Sequence, residues 1–455
     1  AGAPNILLVT LDTTRADRIG AYGNSTVQTR AFDGLAAEGT RFSAASAVAP
    51  VTGPSHASML LGRGPWDHGV LLNGVPLPAD PLLAELLHDH GWRTAAFVSA
   101  YVLDGQNGFA RGFETYDDDF SWLPGTGLLL PARMAAMARR HADPNDVLER
   151  RGADTVDRAL EWLSEHPGGA YFLWVHLFDA HGPYAPPPPY DTLYYQGDPH
   201  DPGNTSMQQV TGVAPYLQAS LEGVTDLNYV LAQYDGEVSY ADSQLARLLA
   251  AVDPKNTLVA VIGDHGESLG EHGVWFNHGD DVYETSVHVP FALRWPGRVP
   301  VGVVDSPVEG DDLAPTLLDL VGVPIPSGMT GKSALSGNRP IAHSMCFDRQ
   351  ANIEGRKNGT LTGPKWRMAG LRGPKSRYVA REIDGTSSYY ELGSDPSGVT
   401  DASETVGGTP EGAELLGLLR GQAQALFAGD ATSRSAVEVS PEERARLEAL
   451  GYLEQ

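Results

Sequence analysis

Cysteine is nearly absent: the 455 residues include one, Cys346. No intrachain disulfide can form. That excludes a disulfide-stapled scaffold and any cysteine-based zinc module. A chain of this length can bury a core large enough to need neither. Cations are scarce too, with 32 Lys plus Arg against 57 Asp plus Glu and a formal charge of −25. This balance argues against nucleic-acid phosphates or an anionic membrane surface as the main partner and favours the binding of cations. No apolar run approaches the ~20 residues that a bilayer-spanning helix needs. There is no initiator Met either. The opening Ala1-Gly2-Ala3-Pro4 fits a processed end, so a periplasmic or secreted location is expected, with the cytoplasm left open. Aromatics make up 8%, beside 52 Gly and 33 Pro. That is the texture of a loop-rich globular protein, neither a coiled coil nor a disordered chain. Length alone leaves the oligomeric state open.

Four apolar runs stand out: Asn5 to Leu11, Thr94 to Ala100, Tyr171 to Phe178 and Thr257 to Ile262. Continuous rather than alternating apolarity predicts strands buried on both faces. Helical spacing lies between them, over Ala79 to His90, Asp154 to Glu165 and Tyr229 to Val252. Strands alternating with helices predict an α/β fold, a mostly parallel central sheet with helices on both faces. Past Arg356 the texture changes to short alternating runs, Lys365 to Leu371, Ser376 to Glu382 and Ser387 to Leu392. The division this suggests is a catalytic domain over 1–355 and a subdomain over 356–455, with a small antiparallel sheet and a terminal helix starting at Ser440-Pro441.

Ligands of open parallel sheets sit beyond the carboxyl ends of the strands. Three of the four runs end there in ionisable groups: Asp12, then Asp179 and His181, then Asp264 and His265. One such Asp is usually a cap or a turn former; three together point to a site. Thr52 stands at a helix start marked by Pro54. A Thr there is a common cap, yet free N–H groups and the dipole also suit a phosphoryl or sulfuryl group. A Thr hydroxyl becomes a nucleophile only with a base or a metal beside it.

The segment Pro4 to Asp17, Thr52-Gly53-Pro54-Ser55-His56, Phe178-Asp179-Ala180-His181-Gly182-Pro183-Tyr184 and Gly263-Asp264-His265-Gly266-Glu267 resemble, in order, the motifs of the sulfatase-like branch of the alkaline phosphatase superfamily. Tyr283-Glu284, Val289-Pro290 and the closing Ala449-Leu450-Gly451-Tyr452-Leu453 fit as well, so the likeness runs along essentially the whole chain. The departures carry the functional reading. Where sulfatases oxidise a Cys to formylglycine, this chain has Thr52, which has no thiol to oxidise. Thr is the nucleophile in relatives that act on phosphorus. The Arg of the family's Cys-x-Pro-Ser-Arg is His56, and Ser99 and Tyr101 fall where sulfatases carry Lys-x-His. Ser99, Tyr101 and Asn73 look more like the substrate pocket of phosphonate monoester hydrolases.

The resemblance therefore implies a hydrolase of a small phosphoester, a phosphodiester or a phosphonate monoester, working through a phosphothreonine. Thr52, His181 and His278 would be catalytic. Asn73, His56, Tyr101 and Ser99 would bind substrate, and Asp12, Thr52, Asp264 and His265 would hold one divalent metal. An imidazole in that set favours zinc or manganese over calcium. A second metal, with Asp179 among its ligands, stays open. The rivals are an arylsulfatase, a phosphomonoesterase, a phosphoethanolamine-type transferase and an inactive sulfatase-like binding protein.

Overall fold

The computed structural model describes residues 2–120, 149–347 and 367–428. The apolar runs become the middle of an eight-stranded sheet, for the reason that predicted them: each is buried on both faces. Its strands are β1 (Asn5–Leu11), β2 (Thr40–Phe42), β3 (Arg93–Phe97), β4 (Thr115–Asp117), β5 (Tyr171–Leu177), β6 (Thr257–Gly263), β7 (Phe291–Arg294) and β8 (Gly302–Val304). Their order is β8-β2-β7-β6-β1-β5-β3-β4. Only β7 runs against its neighbours; the other pairings are parallel.

Side chains of β1 alternate between two cores. Ile6 and Leu8 pack with Ala57, Met59 and Leu60 of α2 (Thr52–Leu61) and with Leu313 and Leu317 of the helix Leu313–Val321. Leu7, Val9 and Leu11 pack with Phe32 and Leu35 of α1 (Arg30–Glu38), with Val156 and Trp162 of the helix Gly152–Glu165, and with Tyr234 and Leu245 of the helix Leu227–Ala251. Each large apolar side chain removed from water in this way stabilises by about 1.5–3 kcal/mol. The result is helix, sheet, helix, as the sequence predicts.

A second sheet is antiparallel, with strands Ala342–Phe347, Arg367–Arg372, Ser376–Arg381 and Ser387–Glu391 in that order. Its first strand lies ahead of residue 356. The helix Pro410–Ala428 covers it through Leu415, Leu419 and Leu426. The sheet is tied to the larger body just upstream of α2, since Met345 N–H donates to the Val48 carbonyl (2.9 Å) and Ser344 Oγ to that of Ala47 (2.6 Å). The terminal helix predicted from Ser440 lies outside the described residues. No helix among the described residues is long and apolar enough to cross a membrane.

Candidate active site

Strands β6, β1 and β5 are neighbours, so the groups at their carboxyl ends converge. Asp12 follows β1 and Asp264 follows β6; Asp12 N–H donates to the Leu177 carbonyl (2.9 Å) and Asp264 N–H to that of Leu11 (3.0 Å), so each strand end is stitched to the next. Helix α2 enters from the side, with Val51 extended and Thr52 as its first helical residue. Ser55 Oγ donates to the Asp264 carbonyl (2.7 Å), anchoring that helix to β6.

The result places the Thr52 hydroxyl 3.2 Å from Asp12 Oδ2 and 3.2 Å from His265 Nε2. All four residues, Asp12, Thr52, Asp264 and His265, are buried. Asp264 Oδ1 accepts from the N–H groups of Thr13 (3.1 Å) and His265 (2.6 Å). Thr13 is held at φ 46°, a left-handed conformation unusual for a β-branched residue, and its carbonyl accepts from Tyr234 Oη (2.7 Å). His265 Nδ1 donates to the Gly266 carbonyl (3.0 Å), which leaves the lone pair on Nε2 facing inward. Burial, and then the neighbouring His278, push the His265 pKa down to about 3, so the ring is neutral near pH 7.

Two buried carboxylate oxygens, Asp12 Oδ1 and Asp264 Oδ2, have no hydrogen-bond partner. Burial and the adjacent Asp12 carboxylate push Asp264 well above the usual range. Burial works on Asp12 in the same sense, but the hydrogen bond from His176 and the histidines around it hold Asp12 low. Unsatisfied buried oxygens of this kind require an explanation, and the geometry supplies one. His265 Nε2 lies 3.5 Å from Asp264 Oδ2 and 4.0 Å from Asp12 Oδ1. Atoms bound to one cation at ~2.1 Å are roughly 3–4 Å apart, so Asp12, Asp264 and His265 fit a divalent metal.

The other predicted residues fall around this centre. Asn73 Oδ1 accepts from Gly53 N–H (2.7 Å) at the start of α2, so tightly that a Cβ on Gly53 would lie 2.8 Å from that oxygen. The His278 ring centroid lies 4.6 Å from that of His265 and 5.0 Å from that of His181, and its Nδ1 is 3.3 Å from Glu267 Oε1. His181 stacks on Phe178 with centroids 4.2 Å apart, and burial and His278 lower its pKa. Tyr101 is half-buried on a turn beside α2, against the apolar core.

Two residues predicted to contact substrate, His56 and Ser99, have their side-chain polar atoms hydrogen-bonded within the protein. His56 is fully buried; Nδ1 donates to the Thr52 carbonyl (2.9 Å) and Nε2 accepts from Thr10 Oγ1 (3.0 Å), which accepts in turn from Trp174 Nε1 (3.0 Å). Ser99 Oγ is taken by the His176 carbonyl and by Thr155 Oγ1, each at 2.7 Å. Asp179 Oδ1 accepts from Gly152 N–H (2.8 Å) at the start of a helix, the work of a cap. His56, His176 and Asp264 also lie within 4.8 Å of one another, but both ring nitrogens of His56 and both of His176 already have partners.

The residue that the sequence reading missed is His176, buried on β5, with Nε2 3.2 Å from Asp12 Oδ2. It sits inside the run Phe172-Leu173-Trp174-Val175-His176-Leu177, where one ring in an apolar strand reads as core. Its signal was position: β5 pairs with β1 so that His176 lies beside Thr10, one turn of the pleat before Asp12. Glu267, buried behind His278, was within a recognised motif but had no role assigned.

Comparison with known proteins identifies the family. The sulfatase family model matches residues 4–323. An uncharacterized sulfatase of Escherichia coli is 27% identical over 374 residues, 76% of this chain and 73% of its own. An arylsulfatase of Clostridium perfringens is 26% identical over 377 residues, 72% of this chain and 77% of its own. Among solved structures, phosphonate monoester hydrolases of Agrobacterium radiobacter and Silicibacter pomeroyi superpose with TM-scores of 0.69 and 0.71, each at 22% identity and covering 96% of this chain and 98% of theirs. The matched stretch includes Asp12, Thr52, Asp264 and His265, and the chain belongs to the sulfatase family.

Proposed function

We propose that the protein is a metal-dependent phosphoester hydrolase, acting on a phosphodiester or a phosphonate monoester through a covalent phosphothreonine on Thr52. One observation carries this reading: a buried Thr hydroxyl, where sulfatases place formylglycine, touches both Asp12 and His265 beside two bare carboxylate oxygens. Asp12, Asp264, His265 and the Thr52 oxygen would hold one zinc or manganese ion. That ion would lower the pKa of the Thr52 hydroxyl and offset charge on the phosphorus oxygens.

The residues do the rest by placement. Thr52 Oγ1 attacks phosphorus in line, releasing its proton to solvent. The bond from phosphorus to the leaving oxygen breaks as the new P–Oγ1 bond forms. Asn73, fixed by the bond its Oδ1 accepts from Gly53 N–H, offers its amide Nδ2 to an equatorial oxygen at the start of α2. His278 or His181 hands a proton to the leaving alkoxide. Water then attacks phosphorus, breaking P–Oγ1 and returning the hydroxyl. Arg15, the buried arginine on the loop after Asp12, is bound by Asp17 (2.6 Å) and Glu271 (2.9 Å) and so is already neutralised. That suits a singly charged phosphorus centre better than a dianionic monoester.

The family itself favours a second reading, hydrolysis of a sulfate ester. An acid-quench experiment with bis-p-nitrophenyl phosphate tests the first. Mass spectrometry is expected to find phosphate on the peptide holding Thr52 during turnover. Turnover with no phosphorylated Thr52 at any quench time would rule out the covalent route.

A further inference from the structure

We propose that His176 is a positioning residue that sorts the two oxygens of Asp12, turning one to the nucleophile and leaving the other for the metal. The inference rests on the reading of Asp12 as a metal ligand. The His176 ring is fully buried in the strand beside Asp12. Its Nδ1 accepts from Ser99 N–H (3.4 Å), so the hydrogen sits on Nε2, which donates to Asp12 Oδ2 (3.2 Å). Ser99 is fixed in its turn, because its hydroxyl bridges the His176 carbonyl and Thr155. The donor is thus held from behind by two strands and a helix.

The consequence lies in what Asp12 is left with. A carboxylate rotates easily about its last torsion, with two equivalent orientations. Here Oδ2 receives two hydrogens, from His176 and from Thr52, while Oδ1 receives none. The bare oxygen is the one 4.0 Å from His265 Nε2. Remove the His176 donor and Thr52 alone sets the carboxylate, which loses the distinction between its oxygens whenever Thr52 reacts. His56 stands edge-on to His176 at 5.0 Å and holds the Thr52 carbonyl. The two imidazoles therefore brace both ends of the Thr52–Asp12 contact.

Partners of metal ligands typically change metal affinity or activity by about 10–100-fold when removed. The test uses the full chain stripped of metal. Affinity for Zn2+ and Mn2+ is read by competition with a chromophoric chelator, for wild type, His176→Phe and His176→Gln. Phe keeps the ring volume without a donor, and Gln restores an N–H near the position of Nε2. The expected result is about tenfold or greater weakening in His176→Phe, a matching fall in kcat with little change in KM at saturating metal, and recovery of most of both in His176→Gln. Affinity in a folded His176→Phe within threefold of wild type overturns the proposal, and so does a folded His176→Gln no better than Phe. Should His176→Phe fail to fold, the ring nitrogen shifts of wild-type His176 decide: a hydrogen on Nε2 supports the proposal and one on Nδ1 overturns it. Wild type that binds metal but cleaves no diester removes the activity reading and leaves this one standing. Wild type that binds neither ion overturns both.

Discussion

At the scale of single residues, the proposed chemistry depends on one oxygen. Thr52→Ala removes it while leaving Asp12, Asp264 and His265 in place, so we expect kcat/KM to fall at least a hundredfold, roughly 2.7 kcal/mol of transition-state stabilisation. Circular dichroism should stay near wild type, and at saturating concentration the metal should still bind through the three remaining ligands. Thr52→Ser should retain part of the activity, because it keeps the hydroxyl and loses only a methyl. Activity of Thr52→Ala within tenfold of wild type would discard Thr52 as the nucleophile. The imidazole of His265 makes a second residue-scale prediction. Chelation should abolish activity, and zinc or manganese should restore it where calcium does so poorly. Elemental analysis of active protein containing calcium and no transition metal would contradict it. Asp12, Thr52, Asp264 and His265 were legible in the sequence because each stands next to an element boundary that apolar runs or Pro54 mark. His176 was not. A histidine inside an apolar strand gains its meaning only from the neighbouring strand, and that register is a tertiary fact.

At the scale of elements, a helix that packs against the central sheet is capped from far along the chain. Helix α1 has no side-chain cap from its own Thr29. Its first N–H groups, of Ala31 and Phe32, donate instead to Asp242 at 2.9 and 2.8 Å, from the middle of the long helix Leu227–Ala251. Asp242→Ala should therefore cost about 1–2 kcal/mol at pH 7 by urea denaturation. The pH dependence has a definite sign. Burial pushes the Asp242 pKa up to about 6, whereas in the unfolded chain an Asp titrates near 4. The native protein holds this proton more tightly, so the stability it contributes is complete below about pH 4 and is lost as pH rises through about 6. Asp242→Asn cannot titrate and should flatten that stretch of the wild-type minus variant difference; an unchanged slope would remove Asp242 as its source. The sequence showed the elements that are buried on both sides or strongly periodic. It did not show β2, β7 and β8, whose three or four residues are set in place by their partner strands. The helix Pro410–Ala428 also escaped, because Gly412, Gly417 and Gly421 weaken its helical signal.

At the scale of the whole molecule, the two sheets are joined by a buried ionic knot. Glu284 accepts from Arg372 (2.8 Å) and Arg377 (2.7 Å), both from the small sheet, and burial is outweighed there by the two guanidinium groups, which hold its carboxyl well below the usual range. Arg377 reaches on to Ser46 Oγ (3.1 Å), a few residues before α2. Glu284→Ala would strand two buried cations, and a loss of about 3–5 kcal/mol is expected in urea melts. A loss below about 1 kcal/mol would show that water or another partner replaces the carboxylate. The knot makes the small sheet part of the support of the nucleophile helix, although no residue of that sheet belongs to the proposed site.

Substrate choice is also a property of the assembled site, because it depends on which cations and hydroxyls remain available once the fold has used the rest. Arg15 is committed to Asp17 and Glu271, and the Ser99 hydroxyl to its neighbours on β5 and the following helix. The Ser99 hydroxyl, where the resemblance puts the Lys of a sulfatase's Lys-x-His, therefore offers a sulfate little. The nucleophile adds a kinetic argument. A phosphothreonine can be released by water attacking phosphorus. A sulfothreonine lacks the geminal hydroxyl through which a formylglycine hydrate expels sulfate, so it should accumulate. We expect bis-p-nitrophenyl phosphate to be favoured over p-nitrophenyl sulfate by at least a hundredfold in kcat/KM, roughly 2.7 kcal/mol, measured in parallel at one pH with one metal. A burst on the sulfate ester that stops near one equivalent would agree, since it reports a trapped intermediate. Many turnovers on the sulfate at comparable efficiency would overturn the argument from Thr52 and make the sulfate ester the substrate class.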